Sequence, residues 1–313
     1  MAPEQIGGVV RHMEWVECVP NFSEGRDPSF IDALAAAIES VPEAHLLDIH
    51  RDAWHHRSVF TIVGELGAVR DAAFRAVRLA VSQIDLTRHT GEHPRIGAAD
   101  VVPFAPIGDT PMESCVVLAR QIGRLIGQEL QVPVFLYGRA ATRPDRRFLS
   151  GIRRGEFESL TSTLGTSPLL TPDFGPRAVH PSAGATAVGA RELLVAFNVF
   201  LDSSDSSVAN EIAKRIRASD GGLPNIQAKG FEVDGRAQVS MNLLDPASTT
   251  PALAYEAVNS LAQQMGLHVT QSEFVGLVPE SAVDGTSEEA LKLQSPLRDR
   301  LLEPKVRAVG GRC

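Results

Sequence analysis

The last third of the chain alternates strand-like and helix-like segments in an order that few folds accept. The strand-like segments are 193–200, 225–233, 237–244 and 272–279, and the helix-like segments between them are 206–218 and 250–265. The two middle strands are joined through Asp234-Gly235, which is a strong signal for a tight hairpin. The order β-α-β-β-α-β predicts an α+β domain of the ferredoxin-like kind.

The first half of the chain begins with the same order and then extends it by a further β-α-β stretch. Strands are predicted at 15–20, 45–50, 57–64, 99–106 and 132–138, and helices at 27–40, 66–84 and 111–129. Residues 140–190 are rich in proline and glycine, so we expect a functional loop there that also crosses between domains. A length of 313 residues favours two compact units, which we place at 14–190 and 191–313. The tail 280–313 is expected to contain a helix at 287–294 and a mobile Gly-Gly-Arg-Cys end.

The composition excludes several classes of function. The chain has 38 acidic and 30 basic side chains and a net charge of −8, whereas a protein that binds nucleic-acid backbones usually needs a basic surplus. The three cysteines cannot form a disulfide framework, and the N-terminus lacks the basic and apolar parts of a secretory signal. No uncharged apolar run approaches the roughly 20 residues of a membrane span. We therefore expect a soluble, cytoplasmic protein with no nucleic-acid or membrane partner.

The densest polar segment is RHTGEHPR at 88–95. His89 and His93 have the His-x-x-x-His spacing of a metal-binding helix, but Gly91 between them and Pro94 after them argue against a helix. A loop imidazole with an ordinary pKa of about 6.5 suits proton transfer. A structural hydrogen bond, proton transfer and metal binding all stay open for His93, which is the leading acid/base candidate.

Three further segments carry polar side chains at predicted strand ends or in loops. Residues 48–57 suit a surface turn, a charged rim or a metal site, and residues 20–25 suit a helix entry or a site at a strand end. Residues 173–184 suit an interdomain linker or a loop that approaches a flat ligand. Asn198 and Asn242 lie in apolar strands and need hydrogen-bond partners if they are buried. These residues alone do not specify a reaction.

Eight sequence blocks in a fixed order carry a family resemblance. They are VECVPNFSEG (16–25), RSVFTIVG (57–64), GEHPRIGAADVVPF (91–104), VPVFLYG (132–138), DFGP (173–176), GATAVGARELLVAFNVFL (184–201), QVSMNLLD (238–245) and SEFVGLVP (272–279). Over about residues 14–282 the chain resembles the formiminotransferase family. The resemblance implies two ferredoxin-like subdomains with facing sheets and a tunnel or crevice between them, which agrees with the predicted element order.

The resemblance also implies an activity. Family members transfer the formimino group of N-formimino-L-glutamate to N5 of tetrahydrofolate and release glutamate during histidine breakdown, with tetrahydrofolate as co-substrate and no metal. The family's proton acceptor, the His of its Gly-Glu-His-Pro-Arg block, is His93 in this chain. The family's folate-binding stretch maps to Gly175, Pro176, Arg177, Ala178, Val179, His180, Pro181, Ser182, Ala183 and Gly184. We expect a homodimer, and we expect the helical cyclodeaminase domain of the animal enzymes to be absent.

Substrate-positioning residues are predicted inside or beside the matching blocks. Both substrates carry glutamate carboxylates, which arginine binds in bidentate fashion, so the candidate anchors are Arg57, Arg95, Arg177 and Arg191. The full set of positioning candidates is Asn21, Glu24, Asp48, His50, Arg57, Glu92, Arg95, Arg191 and Asn242. His50 is a departure from the family, because a family member has an acidic residue at this position.

Three alternative functions stay open on the sequence. One keeps the folate and changes the donor to formiminoglycine or 5-formyltetrahydrofolate. Another is a metal-dependent hydrolase that uses His50, His55, His56, His89 and His93. The third is a folate-binding module without catalysis. Comparison of donors, activity after chelation and ligand binding without turnover distinguish them.

Overall fold

Two β-sheets with helices packed on them make up the part of the chain that the structure, a computed structural model, describes: residues 13–164, 166 and 170–313. The strands are β1 Trp15–Cys18, β2 Asn21–Phe22, β3 Ala44–Asp52, β4 Arg57–Glu65, β5 Ala99–Ile107, β6 Val134–Gly138, β7 Thr186–Ala190, β8 Val195–Leu201, β9 Ile226–Val233, β10 Arg236–Leu243 and β11 Val269–Val275. The helices are α1 Pro28–Glu39, α2 Leu66–Gln83, α3 Met112–Glu129, α4 Leu149–Ile152, α5 Glu156–Thr163, α6 Ser206–Ile216, α7 Pro251–Gln264, α8 Glu288–Leu291 and α9 Leu302–Ala308. The fold is therefore mixed α+β, as predicted.

The second sheet follows the order β11-β8-β10-β9, and every pairing in it is antiparallel. Alternation along the strands separates its two faces. Phe197, Val199 and Val239 are buried in the apolar core with the helix residues Ala209 and Val258. The residues between them in sequence point to the opposite face, which carries Asn198 and Ser240 as well as the apolar cluster of Phe200, Phe231 and Val233, and which lies towards the first sheet.

The first sheet has β3 at one edge, followed by β4, then β1 and β2, and then β5, β7 and β6. β1 and β2 both pair with β4 and with β5, so they act as one strand that is interrupted at Val19-Pro20. Helices α1, α2 and α3 cover one face of this sheet through a shared apolar core. α1 begins at Pro28 because the Asp27 carboxylate accepts hydrogen bonds from the Ser29 and Phe30 N–H groups.

The proline- and glycine-rich segment contains more regular structure than its sequence indicates. Thr186–Ala190 forms β7, which pairs in parallel with both β5 and β6 in the interior of the sheet. The sequence indicates a loop-rich segment over 140–190 and does not predict this strand or helices α4 and α5. The sequence TAVGA is short, its side chains are small, and it has no alternation of apolar and polar residues that would indicate a strand. Its burial follows from its position between two other strands. Gly165 and Pro168 of this segment lie outside the described residues, as do residues 1–12, where a secretory signal would lie.

The C-terminal tail packs against both sheets. α8 covers only Glu288–Leu291 of the helix predicted at 287–294, and α9 was not predicted. Leu302 and Val306 of α9 are buried against Trp15. Gly311 is buried as well, and a Cβ built on it would lie 2.7 Å from the Trp15 ring, whereas Gly310, Arg312 and Cys313 are exposed.

Among the described residues, the structure has no helix with the length and apolar content needed to span a membrane.

Candidate active site

A cavity of about 180 Å³ lies between the facing surfaces of the two sheets. The first sheet and its connections line it with Glu17, Val19, Asn21, His50, Asp52, His55, Arg57, Val59, Thr61, His93, Val101, Pro103, Tyr137, Leu149 and Arg153. The second sheet and its connections add Arg191, Leu194, Ala196, Asn198, Ser240, Asn242, Val275, Gly276 and Leu277. Because both sheets contribute, the cavity exists only when the two are packed together.

His93 reaches this cavity from the loop that precedes β5. Its Nδ1 lies 2.8 Å from the Pro94 carbonyl oxygen. A carbonyl can only accept, so Nδ1 carries the hydrogen and Nε2 is left with a free lone pair. Burial lowers the pKa of this imidazole well below its ordinary value, and the positive charges of Arg57 and Arg153 lower it further. His93 is therefore a neutral ring with one basic nitrogen.

Two aromatic neighbours fix the plane of the His93 ring. The ring is stacked on Phe231 of β9 with 6.4 Å between centroids, and its edge meets His55 at 5.9 Å. His55 in turn contacts Phe231 at 4.9 Å. Residues of both sheets thus hold the imidazole, which limits its rotation.

The loop that carries His93 is held by a network on its outer side. Arg95 donates to Glu156 and to Glu158 on α5, and its Nε donates to His89 Nδ1 at 3.1 Å. The His89 ring is stacked on His56 at 4.2 Å. These contacts give the cluster of histidines a structural role around the loop.

Gly91 allows this loop to approach the β3–β4 turn closely. A Cβ built on it would lie 2.6 Å from the His55 carbonyl oxygen and 2.7 Å from the His56 Cβ. Any side chain would therefore push the loop away from the turn.

Two arginines and one carboxylate give the His93 end of the cavity an excess of positive charge. Arg57 Nη1 donates to Asp100 Oδ2 at 2.7 Å, and Arg153 Nη2 donates to the same oxygen. Burial alone raises the pKa of Asp100, but Arg153 and Arg57 outweigh it and hold that pKa below its ordinary value. Burial lowers the pKa of Arg57 to about 10, so it stays protonated near neutral pH. One carboxylate shared by two guanidinium groups leaves a net positive charge for an anionic ligand.

Asn21 and His50 line two sides of the cavity. Asn21 Oδ1 accepts from Arg57 Nε at 3.0 Å and from Arg57 Nη2 at 2.8 Å. Burial lowers the pKa of His50, while Glu273 and Asp52 oppose that shift. His50 is therefore a neutral ring, and Glu273 and Asp52 supply the nearby carboxylates.

His55 and Gln238 connect the two sheets. The His55 Nε2–H donates to Gln238 Oε1 at 3.1 Å, and both side chains are buried. Neither His55 Nδ1 nor Gln238 Nε2 has a hydrogen-bond partner among the described residues. Buried polar atoms without partners beside a cavity are groups that a ligand can satisfy.

The structure brings some of the predicted positioning residues into the cavity and places others outside it. Asn21, His50, Arg57, Arg191 and Asn242 line the cavity together with His93. The predicted residues that are not part of the lining are Glu24, Asp48, Glu92 and Arg95.

These four have other surroundings in the structure. Glu24 accepts from His56 and from two backbone N–H groups, which outweigh the effect of its burial and lower its pKa to about 2. Asp48 pairs with Arg300 at 3.2 Å. Glu92 is exposed and Arg95 binds α5.

The predicted folate stretch lies at the sheet end that carries His93, outside the cavity lining. A Cβ on Gly127 of α3 would meet the Gly175 nitrogen at 2.6 Å, which places the start of the stretch against that helix. Near its other end, the Ser182 and Ala183 carbonyl groups accept from Leu86 and Ala98, on either side of the His93 loop. The candidate anchor Arg177 is exposed. The folate-binding role of this stretch stays a prediction.

Sequence reasoning missed Glu17, Asp100, Arg153 and Tyr137. Glu17 lies within the apolar strand segment WVEC, and Asp100 lies near the start of the apolar segment ADVV. A charged residue in an apolar strand is a signal that the sequence alone provides. Arg153 follows a short helix that the sequence did not indicate, and nothing in the local pattern directs it to Asp100.

Within the described residues, no group of three or more His, Cys, Asp and Glu side chains is arranged to hold a metal ion.

Comparison with known proteins agrees with the sequence resemblance. The model of the formiminotransferase domain, N-terminal subdomain, matches residues 15–191, and the model of the formiminotransferase domain matches residues 196–294. Glutamate formimidoyltransferase of Streptococcus pyogenes serotype M1 is 44% identical over 281 residues, covering 89% of this chain and 94% of that protein. The enzyme of the same name from Thermoplasma acidophilum is 44% identical over 298 residues, covering 94% of this chain and 98% of that protein.

The animal relatives are longer than this chain. Formimidoyltransferase-cyclodeaminase of Gallus gallus is 44% identical over 285 residues, which cover 88% of this chain and 52% of that protein. The family models match most of the chain, and the relatives at 44% identity indicate the same family. The chain therefore belongs to the formiminotransferase family.

Proposed function

We propose that the protein transfers the formimino group of N-formimino-L-glutamate to N5 of tetrahydrofolate and releases L-glutamate. The observation that carries the proposal is the basic Nε2 of a neutral His93 in a cavity that both sheets line. The alignments with the two relatives named glutamate formimidoyltransferase span almost the whole length of those relatives, which supports the same activity.

His93 performs the proton transfers in this proposal. Tetrahydrofolate supplies N5 as the nucleophile for the formimino carbon. His93 Nε2 accepts the proton from N5 and delivers it to the departing amine of glutamate. A positioned general base of this kind contributes about 10²–10⁴-fold in rate. The lowered pKa of His93 keeps the ring neutral and ready to accept that proton.

Arg57 and Arg153 are the proposed anchors of a substrate carboxylate. Both guanidinium groups line the cavity and share Asp100, so neither charge is fully compensated. Because the residues around them are buried, an anion gains more from this charge than it would in water. Holding the two substrates in a reactive orientation beside His93 supplies the remaining rate acceleration.

The cavity lining also offers polar groups to a reduced folate. Asn198, Ser240 and Asn242 project polar groups from the second sheet, and the unpartnered atoms of His55 and Gln238 lie next to them. We infer that the cavity is the crevice between two ferredoxin-like subdomains, 14–190 and 191–313. The strand order β11-β8-β10-β9 and the corresponding order β5, β1/β2, β4, β3 support this arrangement.

Purified protein tests the proposal directly. With tetrahydrofolate present, we expect N-formimino-L-glutamate to release glutamate in proportion to 5-formiminotetrahydrofolate formed, and formiminoglycine to release no glycine. The activity is expected to survive treatment with a chelator. No glutamate release under saturating substrates would overturn the proposed function. Faster turnover with formiminoglycine, or formyl transfer between 5-formyltetrahydrofolate and glutamate, would assign another donor.

A further inference from the structure

Asp52 is a carboxylate at the end of β3 that neither the proposed proton transfers nor the proposed carboxylate anchors use. It is half-buried and lines the cavity. Its Oδ1 accepts hydrogen bonds from the backbone N–H groups of Trp54 and His55 at 2.7 and 2.8 Å. Among the described residues, no side chain forms an ion pair with Asp52 or donates a hydrogen bond to its Oδ2. One of its two oxygens is therefore free to bind a ligand.

The two backbone hydrogen bonds hold the Asp52 carboxylate in one orientation. An aspartate that accepts from N–H groups two and three residues ahead of it closes a local turn, and its own side chain is fixed by the same bonds. Because this orientation exists before a ligand arrives, little side-chain entropy is lost when the ligand binds. Asp52 is therefore a preorganised acceptor.

The β3–β4 hairpin brings Asp52 to the His93 end of the cavity. Asp52 lies opposite Arg57 in the register of the two strands, and Arg57 is close enough to His93 to lower the pKa of its ring. His55, whose N–H binds Asp52, meets the His93 ring edge to face with 5.9 Å between centroids. A single residue thus lies between the Asp52 carboxylate and the proposed base. Asp52 therefore belongs to the part of the cavity where the transfer is proposed to occur.

The cationic and anionic side chains of the cavity lie in different places. Arg57 and Arg153 share one carboxylate of β5, in the interior of the first sheet, and leave a net positive charge there. Asp52 lies on the edge strand β3, where it and Glu273 of β11 are the carboxylates that act most strongly on His50. A ligand that matches this division has an anionic part and a cationic part.

N-formimino-L-glutamate has such a charge distribution. Its two carboxylates are anionic, and its formimino group is an amidine, a strong base that is protonated near neutral pH. The amidinium presents N–H donors in one plane, which a carboxylate binds through charge-assisted hydrogen bonds. A formyl group has the same shape, but it is uncharged and ends in an oxygen that only accepts.

We propose that Asp52 binds the amidinium of the donor and so selects a formimino group over a formyl group. This inference rests on the proposed function, since it assigns to one residue the recognition of the group that is transferred. The donor carboxylates then lie towards Arg57 and Arg153. His55 Nδ1, which has no partner among the described residues, is a second acceptor nearby. A formyl oxygen in the same place would face acceptors only, which lowers its affinity.

An isosteric pair of ligands and an isosteric substitution test the proposal together. The probes are N-formimino-L-glutamate and N-formyl-L-glutamate, and their Kd values are measured by calorimetry without folate. For the wild-type protein we expect the formimino compound to bind at least about 10-fold more tightly. In Asp52→Asn the Oδ1 still accepts both backbone hydrogen bonds, but the charge is lost. We therefore expect the Kd of the formimino compound to rise about 10- to 100-fold and that of the formyl compound to change less than about 3-fold.

Asp205→Asn is the matched control. Asp205 is exposed, is not part of the cavity lining and accepts from the Ser207 N–H at the start of α6 through its own Oδ1. Asparagine is as good an N-cap as aspartate, so both Kd values should stay within about 2-fold of wild type. An equal loss of formimino affinity in the two variants would show that Asp52 has no specific role.

The outcomes separate this inference from the proposed function. Equal Kd values for the two compounds in the wild-type protein, or an unchanged preference in Asp52→Asn, would overturn the role of Asp52 while the transfer activity stands. If Asp52→Asn does not fold, Asp52→Ser, which keeps an oxygen that can close the turn, takes its place and is judged by the same preference. Absence of glutamate release by the wild-type protein with saturating substrates would instead reject the proposed function.

Discussion

The chemistry of single residues in this site depends on what burial does to their charges. His93 and Glu17 both lose charge on burial, whereas Asp100 keeps its charge because two arginines face it. The result is a neutral base and an uncharged or weakly charged acid in one cavity with a positive patch. The sequence predicts His93 from its loop and from the family block, but it does not predict these protonation states, because they follow from contacts far apart in the chain.

His93→Asn is the substitution that removes the base with the least change in shape. The Asn amide can still donate to the Pro94 carbonyl but has no basic nitrogen. We expect kcat to fall about 10²–10⁴-fold, with the Kd of 5-formyltetrahydrofolate within a few-fold of wild type. His268→Asn, at an exposed histidine outside the cavity, is the control and should retain full activity. Turnover near the wild-type rate in His93→Asn would remove the proposed role.

The lowered pKa of His93 predicts the acid side of the pH–rate profile. The base acts when neutral, so kcat/KM should fall only as pH decreases through a value below the ordinary histidine pKa. Steady-state kinetics over pH 4.5–8 with both substrates varied will measure this. The pH profile of kcat reports the complex in which the folate is already bound. A decrease of kcat that begins near or above pH 7 on the acid side would contradict a neutral, buried base.

Glu17 makes the ligand-free protein less stable at high pH. Its pKa rises from 4.5 in the unfolded chain to about 7 in the fold, so the folded state binds the extra proton and stability is lost as pH rises between these values. At about 1.4 kcal/mol per unit, the loss is about 3 kcal/mol. Glu17→Gln should therefore be more stable than wild type at pH 8 and no more stable at pH 4.5. Urea unfolding at the two pH values measures this, and a pH-independent difference would argue against the shift.

Among the structural elements, the loop before β5 depends on partners from three other segments. Gly91 and Pro94 allow the sequence to predict a loop. The contacts that hold it come from α5, from the β3–β4 turn and from the folate stretch. These are long-range contacts with no local pattern, and the same reason explains why β7 was missed. Strands β8 to β11 were predicted because each has its own apolar alternation and a clear turn.

Gly91→Ala tests whether the loop must approach the turn closely. The new Cβ would lie 2.6 Å from a backbone oxygen, so we expect a loop shift, a loss of about 1–3 kcal/mol in stability and at least a 10-fold loss of kcat. Gly67→Ala is the matched control, since a Cβ there meets nothing within 4 Å and lies in α2. It should leave kcat unchanged. Similar activity in the two variants would show that the loop tolerates displacement.

On the scale of the whole molecule, the site depends on the packing of one sheet against the other. His55 binds Gln238 across the cavity, and α9 packs in a separate apolar cluster that contains Trp15 of the first sheet and Leu277, which follows β11. Leu302 packs with Trp15 and Val63 of the first sheet, while its backbone N–H donates to Val278 after β11. The element order of each half was available from the sequence. The packing of the halves was not, because the residues that form it are spread over the whole chain.

Leu302→Ala is expected to weaken the packing of α9 against the first sheet. Leu302 is 2% exposed and lies between the sheets, so its truncation should cost about 2–5 kcal/mol of unfolding free energy. Leu253→Ala in α7 removes the same atoms from a side chain that is 44% exposed and should change stability by about 0.5 kcal/mol or less. Urea unfolding followed by circular dichroism compares the two. Since α9 packs against strands of the first sheet and donates from Leu302 to Val278 after β11, Leu302→Ala should lower the midpoint of every transition that is observed. A shift confined to the second sheet, or equal midpoints for the two variants, would show that α9 does not hold the sheets together.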